Sequence, residues 1–242
     1  MIEKLEWDSA FFGIKIGKLI IYEEKEFNPF LFHEEIKACK FELVYIFKFQ
    51  KMLSYEIMSK SKLQLIDIQT TMSMKFDKNI HKKLSYRLRN DLSLKERNDS
   101  YKIAEDTAVV SRFYNESKIG HQKTKELYRK WIDNALDKSY SDGMFLEKES
   151  DMVSGVHLIK TDDIKKIGMF TLTGVNSNYK RMGIGRKLWL QSFGYWSNES
   201  EIEIVKSPFS FQNSESLNFH LKMGFNKVEE IKYIYHYKNE LL

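Results

Sequence analysis

Residues 173–188 read TGVNSNYKRMGIGRKL, and they carry the strongest signal in the chain. A run typical of a β-strand ends at Val175, a polar loop follows, and Gly183 and Gly185 open a helical segment. Glycine lets an anion approach the backbone with no Cβ in the way, and the amides of a first helical turn point at that anion. The pattern therefore predicts a strand, a loop and a helix whose first turn binds a phosphate group.

Three basic residues, Lys180, Arg181 and Arg186, add positive charge to this turn. A dinucleotide-binding fingerprint would need a third glycine at position 188, where Leu188 stands. A P-loop would need Ser or Thr after Gly-Lys, which residues 185–188 lack. The dinucleotide-binding fingerprint and the P-loop are therefore both excluded. The remaining alternative to a phosphate site is that the glycines only permit close packing of the helix.

Composition limits the function classes further. The chain has 242 residues, of which 42% are hydrophobic, so it forms one large domain or two modest ones. A net charge of +5 does not by itself imply a nucleic-acid partner, and the single cysteine, Cys39, excludes a disulfide framework and a cysteine-based zinc site. The sequence shows neither a secretory leader nor a membrane span, so we expect a cytoplasmic protein without a membrane partner.

The order of predicted elements indicates two units in an α+β fold with a mixed sheet. Residues 1–100 are predicted to form a smaller α/β unit that ends in a basic connector at 77–100, and residues 101–242 a second unit. The predicted strands are 14–22, 42–49, 63–76, 143–149, 152–159, 166–175, 202–205 and 228–237. The predicted helices are 29–38, 54–61, 123–136, 183–196 and 214–223.

Two motifs resemble the signatures of one superfamily. KRMGIG at 180–185, after a strand, resembles the acyl-CoA-binding signature of the GNAT N-acetyltransferases, and NSESLNFHLKMGF at 213–225 resembles their second signature. The resemblance implies the GNAT fold, a central mostly antiparallel sheet with flanking helices, and acetyl-CoA as co-substrate without a metal. It also implies contacts to the coenzyme from Thr173, Val175, Lys180, Arg181, Met182, Gly183, Ile184, Gly185, Arg186 and Asn213.

The N-terminal half is similar to a subgroup of that superfamily. LEWDSAFFG at 5–13, residues 111–113 and residues 127–135 resemble the dTDP-fucosamine N-acetyltransferases. This resemblance implies acetylation of the amine of a nucleotide-linked amino-dideoxy sugar, by direct attack in a ternary complex, on the way to a surface polysaccharide. It is also the basis for expecting a homodimer.

Catalytic residues are predicted less directly. In the superfamily, a Tyr four residues before Gly-Phe is commonly the acid that protonates the thiolate of the coenzyme. Here His220 stands at that position, and the alternative is a proton from solvent. His157 is the candidate base by residue type, although a histidine packed in the sheet is the simpler interpretation. Arg112 is expected to contact the diphosphate and Tyr235 to line the acceptor cleft, the alternatives being a surface salt bridge and sheet packing.

Other functions remain open at this point. Another amine, such as a polyamine, an antibiotic or a protein N-terminus, would give the same signatures, and an acidic cleft would favour a polyamine. A non-catalytic module that binds acyl-CoA and regulates a partner would keep Gly183 and Gly185 but lack an open acceptor cleft. No nucleic-acid partner is expected, since only the connector supports one.

Overall fold

A computed structural model describes residues 1–239, in which nine strands form one sheet. The strands are β1 (Glu3–Lys4), β2 (Ile16–Ile21), β3 (Leu43–Phe49), β4 (Gln64–Lys75), β5 (Gly143–Glu149), β6 (Met152–Asp162), β7 (Ile167–Val175), β8 (Ile204–Ser210) and β9 (Lys227–Lys238). The α-helices are α1 (Glu6–Phe12), α2 (Pro29–Cys39), α3 (Tyr55–Lys60), α4 (Lys78–His81), α5 (Leu94–Ala108), α6 (Gly120–Leu136), α7 (Ile184–Glu199) and α8 (Ser214–Lys222).

The sheet has the order β1-β2-β3-β9-β4-β8-β7-β6-β5. Neighbouring strands are antiparallel except for β2 with β3 and β7 with β8, which are parallel. This confirms the predicted α+β class with a mostly antiparallel sheet and flanking helices.

The expected boundary at residue 100 does not coincide with a break in the structure. Strand β4, from the first expected unit, pairs with β8 and β9 of the second, so one sheet joins both. Residue 100 lies inside α5, and the segment 77–100 contains α4 and the start of α5 rather than a connector. Helix α5 begins at a capping box in which Ser93 and Glu96 satisfy each other's backbone amides, a signal that was present in the sequence.

Helices cover both faces of the sheet. Tyr45 packs in a cluster with Phe12 of α1, Ile103 of α5 and Ile132 of α6. Its neighbours in β3, Val44 and Ile46, belong to a different cluster that includes residues of α2. Because adjacent side chains of a strand point to opposite faces, α1, α5 and α6 lie on one face and α2 on the other.

Helix α7 lies on the same face as α2. Phe145 packs with Leu188 and Phe193 of α7, whereas the preceding residue, Met144, packs with the α5 and α6 cluster. Within residues 1–239, no helix has the combination of length and hydrophobicity that a membrane crossing needs.

Candidate active site

Strands β7 and β8 pair for only three residues and then diverge. Residues 167–169 pair with residues 204–206, but β7 continues to Val175 and β8 to Ser210 without further pairing between them. Thr171 is an extra residue of β7 opposite β6, and such a bulge bends the strand that carries it. The divergence leaves a V-shaped opening in the middle of the sheet.

Peptide groups of β7 face this opening. The amide of Asn176 donates to the carbonyl of Ser154 on the β6 side, at 2.9 Å. Because successive peptide groups of a strand point to opposite sides, those of Val175 and Thr173 point away from β6 and towards the opening. They are available to a ligand that enters between the two strands.

A cleft of about 1050 Å³ runs through the opening. One end is formed by the loop after β7 and the start of α8, with Thr173, Val175, Ser177, Lys180, Asn213 and Ser214 in its wall. The other end is formed by β4, the C-terminal end of α5 and the loop after it, with Asp67, Asp106, Ser111, Arg112, Glu116 and Lys238. We call these the loop end and the α5 end of the cleft.

The first turn of α7 has free amides. Among residues 1–239, no acceptor is found for the backbone N–H groups of Gly183, Ile184, Gly185 and Arg186, whereas the amide of Lys187 donates to the Gly183 carbonyl at 3.0 Å. The side chains of Lys180, Arg181 and Arg186 are exposed nearby, and no carboxylate of the described chain pairs with them. Unpaired amides, positive charge and the helix dipole all favour an anion here.

Close helix packing does not account for the two glycines. Gly183 has a φ of 80°, which favours glycine, and a Cβ added there would meet nothing within 4 Å. A Cβ on Gly185 would lie 3.4 Å from Phe219, an ordinary contact. Of the other residues predicted for this turn, Met182 is 56% exposed, but Ile184 is buried against the core and can offer only its backbone.

Asn213 caps α8 as the sequence predicts. Its Oδ1 accepts the amide of Ser216 at 3.0 Å, and the residue also lines the loop end of the cleft. The capping role is confirmed.

His220 lies behind the cleft in an aromatic pocket. It is 3% exposed, and its ring stacks on Phe209 at 4.2 Å between centroids. Nδ1 carries the hydrogen, since it donates to the carbonyl of Ser216 at 2.7 Å, and Nε2 accepts from the hydroxyl of Ser207 at 2.7 Å. Burial lowers the pKa of His220 to about 4, so the ring is neutral at pH 7 with its only hydrogen committed to the backbone.

His157 lies in the core and does not line the cleft. Its Nδ1 is 3.2 Å from the carbonyl oxygen of Leu172 and 2.9 Å from the hydroxyl of Thr173, which also accepts from Nε1 of Trp189. Burial lowers the pKa of His157 to about 3. The structure thus matches the packed histidine that was the alternative to a base.

Arg112 lies in the α5 end of the cleft. Its guanidinium carbon is 4.5 Å from the ring centroid of Phe113, 5.3 Å from that of Tyr45 and 5.6 Å from that of Phe47. Burial lowers the pKa of Arg112, and Tyr45 and Asp67 act against that shift. No carboxylate of residues 1–239 forms an ion pair with it, which makes it free to bind an anionic ligand.

Tyr235 does not reach the cleft. It is fully buried with Val44 and Ile46, on the face of the sheet opposite Tyr45, and its hydroxyl accepts the amide of Leu53 at 2.8 Å. Tyr235 therefore packs in the sheet, which was the alternative to lining the acceptor cleft.

Two polar pairs at the α5 end were missed from the sequence. Ser210 donates to Asp67 at 2.6 Å, and the buried His236 donates from Nδ1 to Glu116 at 2.7 Å. Burial lowers the pKa of His236, and the hydrogen bond from His236 holds the pKa of Glu116 below its usual value despite burial. In the described residues, no group of three His, Cys, Asp or Glu side chains is arranged to hold a metal.

Similar structures agree on the fold. No protein-family model and no curated protein sequence matches the chain. A functionally unknown conserved protein from Staphylococcus epidermidis is similar with a TM-score of 0.64 at 15% identity, over 98% of this chain and 91% of that one. A GCN5-related N-acetyltransferase from Sphaerobacter thermophilus gives 0.59 at 11% identity over 98% and 76%, and one from Kribbella flavida gives 0.54 at 8% over 94% and 83%. These similarities confirm the predicted GNAT fold.

Proposed function

We propose that this protein is an acetyl-CoA-dependent N-acetyltransferase. The observation that carries the proposal is the opening between β7 and β8, because one cleft connects the loop that leads into α7 with the polar α5 end. A non-catalytic acyl-CoA-binding module would need only the loop end of the cleft. The presence of the α5 end supports an enzyme with a second substrate.

The loop end suits the coenzyme. The free amides of residues 183–186 would hold its diphosphate, at roughly 1.5–3 kcal/mol for each hydrogen bond to a charged acceptor. Lys180, Arg181 and Arg186 would add charge, and Asn213 would contact the coenzyme beside the helix cap. The peptide groups of Thr173 and Val175 would bind the pantetheine arm and the thioester oxygen.

The thioester supplies an activated acetyl group, so the protein has to position an amine and stabilise developing charge. No cysteine lies in the described wall of the cleft, in keeping with direct attack by the amine rather than an acyl-enzyme. The geometry of His220 favours solvent as the proton source for the leaving thiolate, because its single hydrogen is bonded to a backbone carbonyl.

For the acceptor we propose the amine of a nucleotide-linked amino-dideoxy sugar, of the dTDP-fucosamine type. Arg112 supports this choice, since an unpaired planar guanidinium inside a cleft suits a diphosphate. Lys238 lies in the wall of the same end, where its Nζ is 3.8 Å from Oε1 of Glu116. The homodimer and the cytoplasmic location remain predictions from the sequence.

A different small amine is the second candidate. The wall of the cleft also carries four carboxyl groups, which favour a cationic acceptor such as a polyamine: Asp67, Asp106, Glu116 and Glu215. The two candidates differ in what they require of Arg112, which an anionic acceptor needs and a polyamine does not.

Thiol release from acetyl-CoA, measured over a panel of nucleotide amino sugars, polyamines and other amines, tests the proposal. We expect turnover with a nucleotide amino sugar and a large rise in its KM in Arg112→Ala. Calorimetry should show weaker coenzyme binding in Lys180→Ala but not in the matched control Lys187→Ala, whose lysine pairs with Glu149 outside the cleft. No heat on mixing coenzyme A with the wild type would refute coenzyme binding, and turnover of polyamines alone would refute the sugar substrate.

A further inference from the structure

The side chain of Asp67 lies beside the opening between β7 and β8. Ser210, the last residue of β8, donates from Oγ to Oδ1 of Asp67 at 2.6 Å, and both residues line the cleft. Strand β8 is one wall of the opening, and the peptide groups of Thr173 and Val175 form the other. The side chain of Asp67 is therefore hydrogen-bonded to β8, beside the point where the cleft passes between β7 and β8.

An irregularity in β4 sets the direction of this side chain. The pairing with β9 shifts between Leu65 and Asp67, so that Ile66 is an extra residue and Asp67 lies opposite Ile234. Leu65, before the bulge, packs in the apolar cluster on the opposite face. A bulge re-aims the side chains that follow it, and here it keeps Asp67 on the face of the cleft.

The other carboxyl groups of the cleft wall are less suited to act on a bound amine. The side chain of Glu116 is 1% exposed and is committed to His236. Asp106 and Glu215 are exposed to solvent, whereas Asp67 is partly buried. Asp67 forms no ion pair with a cation in residues 1–239, and its one hydrogen bond to Ser210 occupies Oδ1. Oδ2 is left for a ligand.

We propose that Asp67 is the catalytic base that accepts the proton of the attacking amine, held in position by Ser210; this rests on the proposed acetyltransferase function. The neutral amine forms a bond to the carbonyl carbon of the thioester, and the C–S bond breaks with its electron pair leaving on sulfur. One N–H proton passes to Oδ2 of Asp67. The thiolate takes a proton from solvent, and Asp67 returns its proton to solvent, so that the products are an amide and free coenzyme thiol.

The electrostatic setting supports this role. Arg112, at the α5 end, interacts with Asp67 through space and would hold an anionic part of the acceptor away from the carboxylate. The amine of the same molecule would then be directed towards Asp67 and the opening. An acceptor with both an amine and an anionic group fits this pair of charges.

The test uses the purified protein and the amine of the panel that the wild type acetylates fastest. Asp67→Asn should lower kcat by 10²-fold or more, the usual effect of one acid–base group, while coenzyme affinity measured by calorimetry stays within twofold. The matched control is Asp151→Asn, an exposed carboxyl in the turn between β5 and β6 outside the cleft, which should keep kcat within threefold. Ser210→Ala should lower kcat less than Asp67→Asn does.

Chemical rescue separates a base from a structural carboxylate. Formate added to Asp67→Ala should restore kcat at least tenfold, because it can occupy the space of the missing carboxylate. A kcat for Asp67→Asn within threefold of the wild type, or no effect of formate, would overturn the role of Asp67 and leave the acetyltransferase intact. No turnover of any amine by the wild type would overturn both proposals.

Discussion

The state of His220 can be tested through the pH dependence of stability. Its pKa is lowered from 6.5 to about 4 by burial, so in the folded protein it stays neutral at pH values where the unfolded chain binds a proton. Stability rises with pH wherever the unfolded state binds more protons. The contribution of His220 is therefore complete above pH 6.5 and is lost as the pH falls towards 4.

The magnitude follows from the two pKa values. Each pKa unit is worth about 1.4 kcal/mol, so lowering the pH from 7 to 5 should cost the folded state roughly 2 kcal/mol through His220 alone. The variant His220→Gln cannot titrate and should lose that much less of its free energy of unfolding over the same interval. The substitution also changes hydrogen bonds of residue 220. That effect is the same at both pH values, so it cancels when the two free energies of unfolding are subtracted.

Urea unfolding at pH 7 and pH 5 measures this difference, and NMR titration of the ring checks the pKa directly. His121→Gln, a substitution of an exposed histidine, serves as the control for placing glutamine at a histidine position. If His220→Gln loses as much stability as the wild type between pH 7 and pH 5, His220 is not the neutral buried residue described above. Its role as a catalytic acid would then have to be considered again.

Three further substitutions test the packing around the cleft, each by denaturant unfolding. Gly174→Ala should cost about 1–3 kcal/mol, because its Cβ would lie 2.7 Å from Ile103 of α5, and a cost near zero would refute the close approach. Ser93→Ala removes the hydroxyl of the α5 capping box and should cost about 0.5–2 kcal/mol. His236→Leu removes the 2.7 Å hydrogen bond to the buried side chain of Glu116 and should cost about 1–3 kcal/mol; Glu116→Gln in the same chain should restore much of this, and no restoration would contradict the pairing.

The part of the site that is proposed to bind the coenzyme could be predicted from the sequence because it is local. A strand, a loop and a helix start that follow one another within residues 173–186 form most of it, and Asn213 joins it through a helix cap with its own sequence signal. Each of these parts depends on contacts only a few residues apart. Helix α5 was not predicted from the sequence, because its apolar stripe is short. The capping box at Ser93 is the sequence signal that marks its start.

Strand alternation predicts which residues share a face but not which face meets the site. His157 and Tyr235 lie in strands that were predicted correctly, yet both point into packed clusters. The direction is decided by the helices that cover each face, and those contacts join distant parts of the chain. A residue type suited to catalysis in a correctly predicted strand is therefore weak evidence for a catalytic role.

The α5 end of the cleft depends on pairs of residues that are far apart in sequence. Asp67 and Ser210 are 143 residues apart, and Glu116 and His236 are 120 apart. The first pair exists because β4 lies between β8 and β9, which places a strand from the first third of the chain beside the opening. No local pattern could indicate that placement. The coenzyme is thus expected to be bound by one short segment, whereas the residues proposed to act on the acceptor lie on β4 and after α5. Substitution of Arg112 should raise the KM for the acceptor and substitution of Asp67 should lower kcat, both without changing coenzyme affinity.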